Sequence, residues 1–123
     1  MEGPVAKAAG PFLFFYTQAV RSHQWIDERS LALHTAVAAK LEARPELLEV
    51  ARQNLRQWLK TRPVAALLEW QDVLDRASLS DVIGILRSAS DDAARLRQSS
   101  PFAGVLSPDE RLSILQTYES RRA

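Results

Sequence analysis

Residues 45–59 read Pro45-Glu46-Leu47-Leu48-Glu49-Val50-Ala51-Arg52-Gln53-Asn54-Leu55-Arg56-Gln57-Trp58-Leu59. Leu47, Leu48, Ala51, Leu55, Trp58 and Leu59 recur at steps of three and four. That is the period of one face of an α-helix, while Glu46, Glu49, Arg52, Gln53, Arg56 and Gln57 take the wet side. Pro45 stands where a first helical turn tolerates it. A helix with so clean an apolar stripe has to bury it against other elements, so the rest of the chain must supply its partners.

Upstream, Asp27 reads as an N-cap with Glu28 beside it at the positive end of the helix dipole. Leu31, Leu33, His34, Val37 and Leu41 then mark a helix over about 28–43. Before it, Pro11 opens a segment to about Gln24 in which Phe12, Phe15, Tyr16 and Ala19 fall at helical spacing and Leu13 and Phe14 widen the stripe. Residues 1–10 hold Gly3, Pro4 and Gly10 without periodicity and read as a loose arm. The chain therefore divides into an N-terminal extension, 1–25, and a helical domain, 26–123.

Downstream, Pro63 ends or restarts the pattern. Val64, Leu67, Leu68 and Leu74, widened by Trp70 and Val73, predict a helix over 63–76. Ser78 with Asp81 reads as a cap ahead of Leu79, Val82, Ile83 and Leu86, and Ser90 caps a short helix from Asp91 to about Gln98. Ser107 and Glu110 form a capping box with Pro108 at the first helical position, and Leu112, Leu115 and Tyr118 define the last helix. No window alternates with period two and no repeat is visible. The expected fold is all-α, a compact single-domain bundle of five to seven short helices with no sheet.

Composition narrows the function. Sixteen Lys and Arg against fifteen Asp and Glu leave a net charge of +1, so no global field draws the chain onto nucleic acid or anionic lipid. The absence of cysteine excludes disulfides, thiol catalysis and Cys-based zinc sites. The apolar run at residues 12–16 is far shorter than the roughly 20 residues that span a bilayer. Glu2 offsets Lys7 and no small-residue cleavage site follows, so neither a signal peptide nor a membrane partner is expected and the protein reads as cytoplasmic.

No phosphate-cradling glycine motif and no nucleophile elbow occurs. His23 and His34 lie eleven residues apart without an H-E-x-x-H pattern, so no metal is expected. Adjacent Asp91 and Asp92 diverge by about 100° on a helix and serve its N-terminus rather than sharing a proton. His34 reads as a boundary histidine bonded to a neighbour. Its use with Arg29 as an enzyme is a remote third reading, and no cofactor is expected. Trp58 is in line with its helix's core stripe, whereas Trp25 and Trp70 are open between core and interface.

The long interruption is Leu96-Arg97-Gln98-Ser99-Ser100-Pro101-Phe102-Ala103-Gly104-Val105-Leu106-Ser107-Pro108-Asp109-Glu110-Arg111. Phe102, Val105 and Leu106 either tuck into the core or anchor a partner, with Arg95, Arg97, Gln98, Ser99 and Ser100 as a polar rim. Arg95, Arg97, Gln98, Ser99, Ser100 and Phe102 are the candidate partner-binding residues.

This stretch, together with Asp27-Glu28-Arg29-Ser30-Leu31-Ala32-Leu33-His34, resembles the two signatures, ERSLALH and LRQSSPFAGVLSPDER, of a family of small uncharacterised bacterial all-helical proteins. The resemblance covers about residues 26–119, by pattern only in the middle helices, and leaves out 1–25. It implies a small accessory protein, the antitoxin-like or regulatory half of a pair, whose partner is another protein such as the product of the adjacent gene. A homo-oligomer is compatible with it. The alternative is a helix-turn-helix DNA-binding autoregulator using 79–98. It is disfavoured because the second helix opens with two acids and the net charge adds little electrostatic affinity.

Overall fold

A computed structural model describes the backbone of residues 10–122 and the side chains of residues 24–119. The arm expected at the N-terminus and the side chains of the Phe-rich segment lie outside the described residues. Six α-helices account for the architecture: α1 Gly10–Ala43, α2 Leu48–Leu59, α3 Ala65–Arg76, α4 Leu79–Arg87, α5 Asp91–Arg97 and α6 Pro108–Arg122. A 3₁₀ turn, Pro45–Leu47, joins the first two. Among the described residues there is no strand, as the missing period-two signal predicts.

The spine is α1, whose 34 residues extend for about 50 Å at 1.5 Å per residue. The expectation of two helices, with Asp27 as the second one's N-cap, is corrected here. Helix runs without a break from Gly10 through Asp27, because nothing between residues 12 and 43 is a proline or glycine that would stop it. An N-cap residue is a start signal only where the preceding turn is not itself helical.

Buried Leu33, His34, Val37, Ala38 and Leu41 form the inward stripe of α1. It packs on α4 and α6 and, along the same side, on α5. Helix α2 buries Leu48, Ala51 and Leu55 and lies against α3. Trp70 of α3 is completely enclosed, at 0% exposure. Its indole N–H donates to the Leu96 carbonyl over 2.7 Å, so the largest core side chain is also tied to the end of α5.

Side-chain capping closes α4, α5 and α6 as the sequence predicts. Ser78 Oγ accepts from the Asp81 amide and Ser90 Oγ from the Ala93 amide, both at 3.1 Å. At α6 the box is reciprocal: Glu110 N–H donates to Ser107 Oγ at 3.1 Å and Ser107 N–H to Glu110 Oε1 at 2.8 Å. Lys40 of α1 also pairs with Glu110. The lysine's hydrogen bond, with the Ser107 amide, pulls the Glu110 carboxyl down to about 2.

Some expected core positions lie outside it. Val64 and Leu68 are 44% and 47% exposed, and Leu112 of α6 also faces solvent. A helical stripe tells which residues share a face, not how far the neighbouring element covers it. Trp58 is half-buried and packs at the edge of the core.

Candidate functional site

Residues 98–107 cross the bundle between α5 and α6, with Pro101, Phe102 and Val105 turned inward and Ala103 left at the surface. Pro101, Phe102 and Val105 are buried, with the Phe102 ring set edge-on to Trp70 at 5.4 Å between centroids. Asn54 of α2 clamps the crossing from outside, its amide donating to the carbonyls of Pro101 and Ala103 at 2.8 Å each. Gly104 makes the return with φ 92°, a conformation that costs other L-residues energy. Asn54 carries no motif in the sequence: it is a short amide on the border of the α2 stripe, which only the neighbouring segment makes meaningful.

The six candidate residues separate into three groups. Phe102 and Arg97 are withdrawn from the surface, at 4% and 5% exposure. Arg97 Nη1 donates to the carbonyls of Ile85 and Ser88 at 3.0 and 2.6 Å, closing the C-terminal end of α4, where carbonyls have no helical partner. Its Nε is buried without an acceptor, and burial lowers its affinity for the proton, opposed by the charge of Asp27. Packing therefore occupies Phe102, and capping occupies Nη1 of Arg97.

Arg95 is exposed but occupied. Its guanidinium forms a two-point pair with Glu69 at 2.8 and 2.9 Å and holds Asp92 Oδ1 at 2.8 Å. These bonds raise the arginine's pKa and lower that of Glu69.

Gln98, Ser99 and Ser100 remain at the surface. With Trp58, Arg62, Val64 and Leu67 they line a groove of about 220 Å³. Exposed Leu68 lies one helical turn beyond Val64.

Ser100 is also half of an inward contact. His34 Nδ1 lies 2.7 Å from the Ser30 carbonyl oxygen, an acceptor only, so Nδ1 carries the proton. Nε2 is then the acceptor for the Ser100 hydroxyl at 2.7 Å. Burial is the main cause that lowers the His34 pKa, only partly offset by the Ser30 carbonyl, with Arg97 and Arg111 adding repulsion. The imidazole is thus kept neutral.

A serine bonded to a neutral imidazole has the outline of a nucleophile and its base. The surroundings do not complete it. The orienting group is a carbonyl rather than a carboxylate, so an imidazolium gains little, and nearby amides are spent. Gln98 and Ser99 N–H groups close α5 and the Phe102 N–H donates to Ser100 Oγ itself, which leaves few donors for an oxyanion. No group of three or more His, Asp or Glu side chains that could hold a metal ion occurs among the described residues.

Among the described residues, fold and site together define an all-helical protein in which the start of the 98–107 crossing lines a polar-rimmed groove. Comparison with family models, with curated proteins and with solved structures found no match. Among the described residues, no helix is long and apolar enough to cross a membrane.

Proposed function

We propose that this protein is a non-catalytic interaction module, the antitoxin-like or regulatory partner of another bacterial protein, and that it docks through the groove beside α3. The observation that carries this reading is the exposure of Val64 and Leu68 next to a groove walled by Trp58, Arg62, Gln98, Ser99 and Ser100. Apolar anchors ringed by polar groups are the composition of a protein–protein contact. The resemblance of residues 26–119 to small uncharacterised bacterial helical proteins is compatible with the same reading.

The helix-turn-helix alternative draws less support. α4 and α5 do form two short helices across a three-residue turn. Yet α5 has seven residues and starts on Asp91 and Asp92, Arg95 is neutralised by Glu69 and Asp92, and Arg97 is internal. Phosphate contacts need free cations.

The test is co-expression with the product of the adjacent gene. A stoichiometric complex that survives purification, and that Val64→Asp and Leu68→Asp abolish without lowering the melting temperature of the isolated chain, supports the module and its groove. No complex, together with retention on heparin that moderate salt reverses, would replace it with the DNA-binding alternative.

A further inference from the structure

On the opposite side of residue 98 lies a second cleft, of about 240 Å³, between α1 and α5, lined by Ile26, Asp27, Ser30, Ala94, Arg97 and Gln98. That is room for about eight waters at the volume each occupies in the liquid. Its walls are mainly apolar through Ile26 and Ala94, and it holds one cation and one anion.

Neither charge is matched. Arg97 makes no ion pair within 4 Å among the described residues. Its Nη1 is spent on Ile85 and Ser88, whereas Nη2 donates to no described residue. Nη2 is not among the buried atoms left without a partner, and the side chain lines the cleft. Asp27 likewise forms no ion pair or hydrogen bond with a described residue, although it is near enough for its charge to act on Arg97. The pair face one space without closing across it. The other two arginines of α4 and α5, both exposed, are bonded to carboxylates: Arg87 to Glu42 and Arg95 to Glu69.

An anion alone would meet Arg97 but be repelled by Asp27, and a cation alone the reverse. A molecule carrying both charges satisfies both. We propose that this cleft binds a small zwitterion of the α-amino-acid class. Its carboxylate lies on Arg97 Nη2, its ammonium on Asp27, and an aliphatic side chain lies against Ile26 and Ala94. Charge-assisted bonds of this kind are the stronger ones in a partly desolvated site, and concave apolar walls with few convergent polar groups are the usual form of a small-molecule site. Ser30 Oγ and the Gln98 amide stand at the rim as further donors. The proposal does not depend on the docking groove or on any partner.

L-leucine is the probe, with its two halves, 4-methylpentanoate and 3-methylbutylamine, as controls. Binding is followed on the full chain by NMR through the Arg97 guanidinium and the Ile26 methyl resonances. Leucine is expected to shift both at millimolar concentration and to bind at least several-fold more tightly than either half. Asp27→Asn should weaken leucine several-fold while strengthening 4-methylpentanoate, and Ala94→Leu, which fills the cleft, should abolish the shifts while the rest of the spectrum stays folded. Three results would overturn the proposal: no shift at Arg97 and Ile26, halves that bind as well as leucine, or shifts that persist in Ala94→Leu. Because the partner protein is absent from the experiment, its outcome is separate from that of the docking test.

Discussion

His34 and Ser100, 66 residues apart in sequence, share a 2.7 Å hydrogen bond in which the serine hydroxyl donates to Nε2. This contact ties the C-terminal third of the longest helix to the crossing between α5 and α6. Ser100→Ala removes the donor, leaves a buried imidazole nitrogen without a partner, and also strips an acceptor from the Phe102 amide. The expected loss is about 1–3 kcal/mol in urea unfolding, with Ser100→Thr largely restoring it. In a double-mutant cycle with His34→Gln, additive effects would show that the bond is not energetically coupled.

The same histidine sets a pH dependence. In the folded chain its pKa lies below the ordinary 6.5, so above that pH both folded and unfolded states are neutral and stability is full. As pH falls below 6.5, the unfolded chain takes the proton and the folded chain does not. Stability then drops by up to about 1.4 kcal/mol per pH unit until the lowered folded pKa is reached. Urea midpoints measured from neutral to mildly acid pH should show this slope, and His34→Gln should remove it. An unchanged slope in the variant would assign it to other groups.

Trp70 carries two loads, packing and the 2.7 Å bond to the Leu96 carbonyl. Trp70→Phe keeps most of the first and loses the second, and is expected to cost about 1–3 kcal/mol. Trp70→Ala opens a cavity under Phe102 and should cost about 3–5 kcal/mol. Because Ser99 N–H still reaches the same carbonyl, a near-zero cost for Trp70→Phe is the result that would dismiss the indole bond.

Two arginines two residues apart should behave oppositely. Arg97→Met leaves the Ile85 and Ser88 carbonyls unpaired and is expected to cost roughly 2–4 kcal/mol. Arg95→Ala removes only solvent-screened pairs with Glu69 and Asp92 and should leave the thermal midpoint nearly unchanged. Equal losses in differential scanning calorimetry would contradict this division.

Two glycines give a backbone contrast. Gly104 has φ 92°, so Gly104→Ala is expected to cost about 1–2 kcal/mol from conformation alone. Its nearest neighbour, Val50 Cγ1 at 3.7 Å, is only in ordinary contact. Gly84 is helical and an added Cβ meets nothing within 4 Å; Gly84→Ala should stabilise by about 0.5–1 kcal/mol.

What the sequence determined by itself is the set of features governed by near neighbours. Period and capping are local, so the stripe of α2, the serine caps of α4 and α5 and the Ser107–Glu110 box are all legible within a few residues, and with them the all-α class. Asp27 shows the limit of that reasoning: a cap residue is recognised by type, but whether the preceding turn is already helical is set outside its own window.

Only the tertiary structure decided what each polar side chain of the crossing does. Arg95, Arg97 and Ser100 looked alike as a rim of donors. Their fates diverge because Glu69, the open end of α4 and His34 come from 26, 9 and 66 residues away. Burial is a property of facing elements, so no spacing rule could show that Val64 and Leu68 stay at the surface while Trp70 is enclosed, or that Asp27 and Arg97 border one cleft.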